Sequence, residues 1–322
     1  MAKLSRRLLL AAGLTGACVA GGCASPAPAS PTPRPAAQPL ALAPGAYMFR
    51  GQAGTADARN QGRIGNAGFI VGESGVIAID TGTSYRHGQA LLAAIAETTS
   101  LPVRLALVTH TRPEFLFGGA AFRERGIPVA MHTRTAQLMR ARCQGCLDTL
   151  RQVVGDGPMQ GTEMYSPDQT FDGTHTLAQI GRPVQVHHFG HSSGPGDIAV
   201  LDEASGVLFA GGLLDAGRIP DIQDSDLAGW QAALAALRAL SVKTIVPGHG
   251  PASAPALVDE NGRYLAQLGE RLRRFVAAGG SLLGAPEAAE LPEFARWDQY
   301  DLIHPRNASI AYLRFERELM FK

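Results

Sequence analysis

Three histidines mark where this sequence can do chemistry. His110, His191 and His249 each stand one to three residues beyond an apolar run of strand length, in loops flanked by Gly or Thr. Imidazole is the commonest metal ligand and titrates near neutrality. Loops on the rim of a rigid sheet are where such side chains gather into a site. One histidine of this kind would read as a surface or hydrogen-bonded core residue, whereas three at strand ends can converge on an ion. Cys143 and Cys146 form a second cluster, in Arg142-Cys-Gln-Gly-Cys-Leu147. The spacing suits a redox pair, half of a zinc site or a short-loop disulfide. No second CxxC completes a four-thiolate site, and the leader described below implies an oxidising compartment, so a disulfide between the two is expected. His87, His132, His175 and His304 read as surface or loop residues, with Asn307 as the N-cap of a last helix.

The elements that must position these residues alternate strand-length apolar runs with helical patterns, as in a layered α/β domain. Gly68–Gly72 and Val76–Ile79 read as a hairpin closed by Asp80-Thr-Gly82. Val103–Val108 reads as a buried strand ending at Thr109-His110, and Val184–Phe189 as one ending at Gly190-His191. Ile198–Leu201 and Val207–Ala210 pair as a second hairpin, and Thr244–Val246 leads to His249. Helices are expected over Gly88–Thr98, Ala120–Arg125, Arg134–Val154, Leu227–Leu240, Pro255–Ala278 and Arg306–Met320.

Composition narrows the partners. The 322 residues are 45% apolar and 18% charged, with 29 basic against 28 acidic side chains. A core of good size is possible and a basic footprint for nucleic acid is missing. Residues 1–23 read as an export signal, basic at Lys3, Arg6 and Arg7 and then apolar from Leu8 to Ala20. Ser5-Arg6-Arg7-Leu8 resembles a twin-arginine signal, and Ala20-Gly-Gly-Cys23 a lipobox, so lipidation of Cys23, anchoring to the membrane and a periplasmic location are expected. Residues 24–44 are nearly all Ala, Pro and Ser, a tether rather than a packing segment. The folded part is then residues 45–254, with 255–322 as a helical extension packed on it.

The ordered runs Asp80-Thr-Gly82, Thr109-His110…Gly118-Gly119, Gly190-His191-Ser-Ser-Gly-Pro-Gly-Asp197, Leu208-Phe-Ala-Gly211 and Pro247-Gly-His249-Gly resemble the signatures of the metallo-β-lactamase superfamily. Asn66-Ala-Gly-Phe-Ile70, Gly217-Arg-Ile-Pro220 and the leader are most similar to its periplasmic branch, the quinoprotein relay system zinc metallohydrolases. The resemblance implies an αββα sandwich of two sheets flanked by helices, with a dinuclear zinc cleft at the rim. Asp80 would orient the groups around that cleft rather than ligate. The branch implies a place beside periplasmic oxidation-system proteins.

The ligand set is incomplete. Where the family reads His-x-His-x-Asp-His, this chain reads His110-Thr-Arg112-Pro-Glu114-Phe115, and Gly212 stands where the family has a metal-bridging aspartate. One zinc position would keep His110 and His191, the other His249 and the longer carboxylate of Glu114. A catalytic zinc takes three protein ligands and an open position for water. Arg112 offers no lone pair and stays charged, Phe115 supplies only bulk, and Gly212 supplies nothing. Zinc is therefore expected at less than one per chain, or absent. Three readings stay open. His110, His191 and His249, helped by Glu114 or Asp215, rebuild a mononuclear hydrolase; or the fold persists as a weak or inactive hydrolase, a binding or accessory protein taking a small anionic or ester-like ligand; or the histidines only satisfy loop hydrogen bonds.

Overall fold

The computed structural model describes residues 38–321, so the export signal, Cys23 and most of the tether lie outside the described residues. Twelve strands form two sheets among them. The larger sheet takes β1 (Leu40–Ala43), β2 (Ala46–Phe49), β3 (Ala67–Val71), β4 (Val76–Ile79), β5 (Val103–Val108), β6 (Val129–His132) and β7 (Gln169–Phe171) in sequence order. It is antiparallel from β1 to β4 and parallel from β4 to β7. The smaller takes β8 (His175–Leu177), β9 (Val184–His188), β10 (Ile198–Asp202), β11 (Val207–Gly211) and β12 (Thr244–Pro247) in reverse order, with β11 and β12 parallel.

Side chains alternate across each strand, and that period assigns the layers. From β4, Ile77 and Ile79 meet Val184, Val186, Ile198, Val200 and Phe209 in a core between the sheets. Val76 and Ala78 face the other way, into a core shared with helices α1 (Tyr85–Thr98), α2 (Pro113–Leu116), α3 (Gly119–Glu124) and α4 (Thr133–Val154). A short α5 (Asp156–Met159) follows. On the smaller sheet, Ala199, Leu201, Leu208 and Ala210 face α6 (Leu227–Arg238), α7 (Leu257–Ala277), α8 (Ala285–Ala288) and α9 (Tyr300–Met320). The result is the αββα sandwich with extra C-terminal helices. Strands buried on both faces read as unbroken apolar runs, which is why their sequence limits match the structure so closely.

Helix starts follow side-chain capping. Ser84 accepts from the His87 amide at α1, and Asp226 accepts from the Gly229 amide at α6. His132 caps α4 through Nδ1 and is buried, not a surface residue. His87 is likewise buried, its Nδ1 accepting from the Thr83 amide, and His304 is buried between the Tyr264 hydroxyl and the Ala289 carbonyl. Two boundaries move. Sheet structure begins at Leu40, inside the stretch read as tether, because β1 extends the edge of the larger sheet. The last helix starts at Tyr300 and carries Pro305 inside it. Burial of Ile303, His304, Asn307 and Ala308 along that turn outweighs the hydrogen bond that proline removes. Asn307 is therefore no cap; its amide bonds the Pro220 carbonyl and the Tyr264 hydroxyl. Among the described residues no helix is long and apolar enough to cross a membrane.

Candidate functional site at the strand ends

The strands β4, β5, β11 and β12 deliver Asp80, His110, Gly212 and His249 to one rim. Asp80 is held at φ 58°, a left-handed conformation uncommon outside glycine. Its carboxylate accepts from the Thr109 amide at 2.8 Å and the Thr109 hydroxyl at 2.9 Å. Thr109 Oγ1 lies 2.7 Å from His110 Nδ1. With the hydroxyl proton given to Asp80, Oγ1 accepts from Nδ1–H, which leaves a lone pair on Nε2. That Nε2 is buried and has no hydrogen-bond partner among the described residues. Burial, and then the Arg112 charge, push the His110 pKa down to about 3, so the ring is neutral. Burial also raises Asp80 to about 7 against the pull of the Thr109 hydrogen bonds. Asp80 thus reaches His110 through the Thr109 hydroxyl.

His249 is wired differently. Nδ1 lies 2.7 Å from Asp215 Oδ1, and Nε2 lies 3.0 Å from Glu114 Oε1. Burial alone would depress the His249 pKa, but Asp215 and then the hydrogen bond to Glu114 outweigh it and hold it above the usual value. Burial likewise raises Glu114, and the His249 hydrogen bond and charge, followed by Arg112, bring it down to about 2. Burial raises Asp215 as well, and the charge and hydrogen bond of His249, followed by Arg112 and Arg218, bring it below its usual value. A buried histidinium clamped between two carboxylates follows. Asn261 fixes the Asp215 backbone, accepting from its amide at 3.1 Å and donating to its carbonyl at 2.9 Å. Asn66 ties the start of β3 to the same loop, its amide donating to the Pro247 and Gly250 carbonyls. The Phe115 ring lies against both imidazoles, 4.2 Å from that of His110 and 5.3 Å from that of His249 between centroids.

A cavity of about 670 Å³ opens over this floor, lined by His110, Arg112, Glu114, Ser193, Asp197 and Arg218 among others. Most of its arginines are matched to carboxylates. Arg142 pairs with Asp224, Arg306 with Asp221, and Arg218 with Asp298. Arg112 instead gives one hydrogen bond, from Nη2 to the Asp221 carbonyl at 2.8 Å. Burial opposes its charge, yet Asp221, Asp215 and Glu114 nearby raise its pKa, so it stays cationic. Arg218 Nε is a further buried donor without a partner. Asp197 accepts from the Ser193 hydroxyl at 2.7 Å, and burial pushes it up to about 6.

The residues present do not fit the family's zinc centre. His191 does not join the other two histidines: it is exposed, and its Nε2 donates to the Asp224 carbonyl at 2.7 Å. The glycine before it, Gly190 at φ 83°, takes the chain through a left-handed turn at that point. Both His249 nitrogens are occupied, and Arg112 brings a cation to the space a metal would share. A Cβ on Gly212 would lie 2.9 Å from both Asp197 Oδ2 and His110 Cδ2, so the site has closed over the missing side chain. Among the described residues no group of three His, Cys, Asp or Glu is placed to hold a metal ion. The convergence of His110, His191 and His249 on one ion, one of the three readings left open, is not what the structure has: His110 is open, His249 is clamped and His191 does not line the cavity. The disulfide is corrected too. Cys143 and Cys146 are free thiols one turn apart on α4, Cys143 in the core and Cys146 on the cavity wall. The two thiols hydrogen-bond to each other without a bond between the sulfurs. Asp197, Arg218 and Asn261 were not read as site residues, although Asp197 ends a glycine-rich run after β9 and Arg218 lies in Gly217-Arg-Ile-Pro220, both of which stood out.

Residues 60–249 match the metallo-beta-lactamase superfamily, and the chain belongs to it. Among solved structures it resembles a metallo-beta-lactamase from Pontibacter korlensis, with 22% identity, a TM-score of 0.59 and coverage of 71% of this chain and 98% of that one. The DIM-1 metallo-beta-lactamase gives 14% identity and a TM-score of 0.56 over 71% of this chain and 96% of that one. Likeness at this level is likeness of fold. A linear primary-alkylsulfatase of a Pseudomonas species is 24% identical over 226 residues, 60% of this chain and 43% of that protein. This chain therefore spans less than half the length of that relative.

Proposed function

We propose that this chain is a binding or accessory protein on the metallo-β-lactamase fold, whose cleft takes a small anionic ligand in place of zinc. One observation carries this reading: Arg112 reaches the cavity with a single hydrogen bond to the protein. A guanidinium carries five N–H donors, and a carboxylate or sulfate can take two of them in parallel. The lone pair on His110 Nε2 favours an anion that also offers an O–H or N–H. The ion-paired His249 supports the same reading, because a metal would have to displace two carboxylates from it. A mononuclear hydrolase built on His110, His191 and His249 is not favoured, since His191 stands outside the cleft. The leader supports an exported chain tethered through Cys23, and the runs Asn66–Ile70 and Gly217–Pro220 support kinship with the quinoprotein-linked branch and its periplasmic oxidation systems.

Calorimetric titration of purified protein with sulfate, acetate and a 2-hydroxy acid tests the proposal. Saturable binding is expected, strongest for the hydroxy acid and lost in Arg112→Ala. Equal affinity in wild type and Arg112→Ala contradicts it.

A further inference from the structure

We infer that the ligand is an anion with an unbranched apolar tail, its head on Arg112 and its tail leaving between α4 and α9. The inference rests on the anion-pocket reading and adds the ligand's class. The cavity changes character from floor to mouth. Its floor carries Arg112 and the 2%-exposed His110 with its unpartnered Nε2. Its walls carry Leu150 and Val153 from α4, and Leu302 and Ile303 from α9, with Thr149 and Arg306 of the same helices also on the lining. Leu150 and Ile303 are each 5% exposed and belong to the interior, whereas Val153 is 43% and Leu302 57% exposed.

Single exposed apolar residues are ordinary on a protein surface. Two of them, on separate helices, opening on one cavity whose floor holds an arginine with free donors, form a graded surface. An inorganic anion on Arg112 would leave most of about 670 Å³ to water and both side chains wet. A sugar or other polyol would set hydroxyls against Leu150, Val153, Leu302 and Ile303, which offer no hydrogen bonds. A head group that uses the arginine and a chain that dries the two helices satisfy both ends at once. The volume suits one small amphiphile, within the usual range of small-molecule pockets.

Calorimetric titration of the purified full chain with n-alkanoates from acetate to decanoate, each below its micelle concentration, reads this directly. Affinity is expected to rise about twofold or more per methylene until the tail clears Val153 and Leu302, as partial burial of each CH₂ requires. The double variant Val153→Ser, Leu302→Ser changes two exposed positions and should cut the decanoate-to-acetate affinity ratio at least tenfold. The matching n-alkanol should bind at least tenfold more weakly than the alkanoate, because it lacks the charge for Arg112. Acetate and decanoate binding equally well would overturn the tail while leaving the anion pocket standing. So would a chain-length gain that survives in the double variant. Decanol binding as tightly as decanoate would overturn the head-to-tail arrangement, and failure of every alkanoate and of sulfate would bring down the anion pocket with it.

Discussion

Two histidines flank one phenylalanine at the rim of this sandwich, and their surroundings divide them. His110 ends a chain that runs from Asp80 through Thr109 and stops at an unpartnered Nε2. His249 sits in the middle of a chain closed at both nitrogens by Asp215 and Glu114. The first is neutral because burial outweighs every nearby acid, and the second is charged because two carboxylates outweigh burial. The difference teaches how neighbouring imidazoles on one rim are set to opposite roles by the groups packed against them. A glutamate one methylene longer than aspartate reaches His249 directly, and Arg112 supplies positive charge to the same acids. The open histidine keeps one nitrogen without a partner among the described residues.

Breaking the closed side should have the largest effect. Asp215→Ala leaves a buried histidinium with one carboxylate and is expected to cost about 3 kcal/mol or more in urea unfolding, as for other buried pairs missing one partner. A loss below about 1 kcal/mol, the level of an exposed pair, would show that His249 is neutral. Refilling the family's lost positions comes next. Gly212→Asp alone should destabilise by about 1–3 kcal/mol, since its Cβ overlaps Asp197 and His110. Combined with Arg112→His, Glu114→Asp and Phe115→His it should raise bound zinc, read by metal analysis, because each change returns a ligand and removes the clamp on His249.

The two sides should also separate with pH. Glu114 is lowered to about 2 from 4.5, so its share of stability is present above 4.5 and lost as pH falls through 2. His249 is raised, so its share is full below 6.5 and lost as pH rises through its folded value. Asp197 and Asp80 are raised to about 6 and about 7, which also removes stability as pH climbs past 3.8. Melting temperature should therefore peak on the acid side of neutrality, and Asp197→Asn should flatten the fall above it. A maximum at pH 8 would contradict these assignments. The smallest effect is expected at the cavity edge, where Arg142→Ala breaks a half-exposed pair with Asp224 and should change unfolding free energy by less than about 1 kcal/mol.

Much of the fold was legible because burial writes itself into sequence. Val76–Ile79, Val103–Val108 and Ile198–Leu201 are nearly unbroken apolar runs, and each is a strand within a residue of the expected limits. The three-residue strands Gln169–Phe171 and His175–Leu177 carry no such run and were invisible. Pro305 suggested a later start for the last helix than tertiary burial allows. In the site, the strand-end positions of His110 and His249 were legible. The direction of the His191 ring was not, because it depends on a carbonyl at Asp224 brought there by a separate loop. The clamp on His249 joins Glu114 and Asp215, residues far apart in the chain, and no local pattern encodes their meeting.

The measurement that bears most directly on a cleft filled by its own ion pairs is a zinc titration of chelator-treated protein by calorimetry. No site tighter than about 1 μM is expected, a free energy of about −8 kcal/mol that Glu114 and Asp215 would have to surrender to the metal. One or two equivalents bound with nanomolar affinity would contradict it and return His249 to the metal.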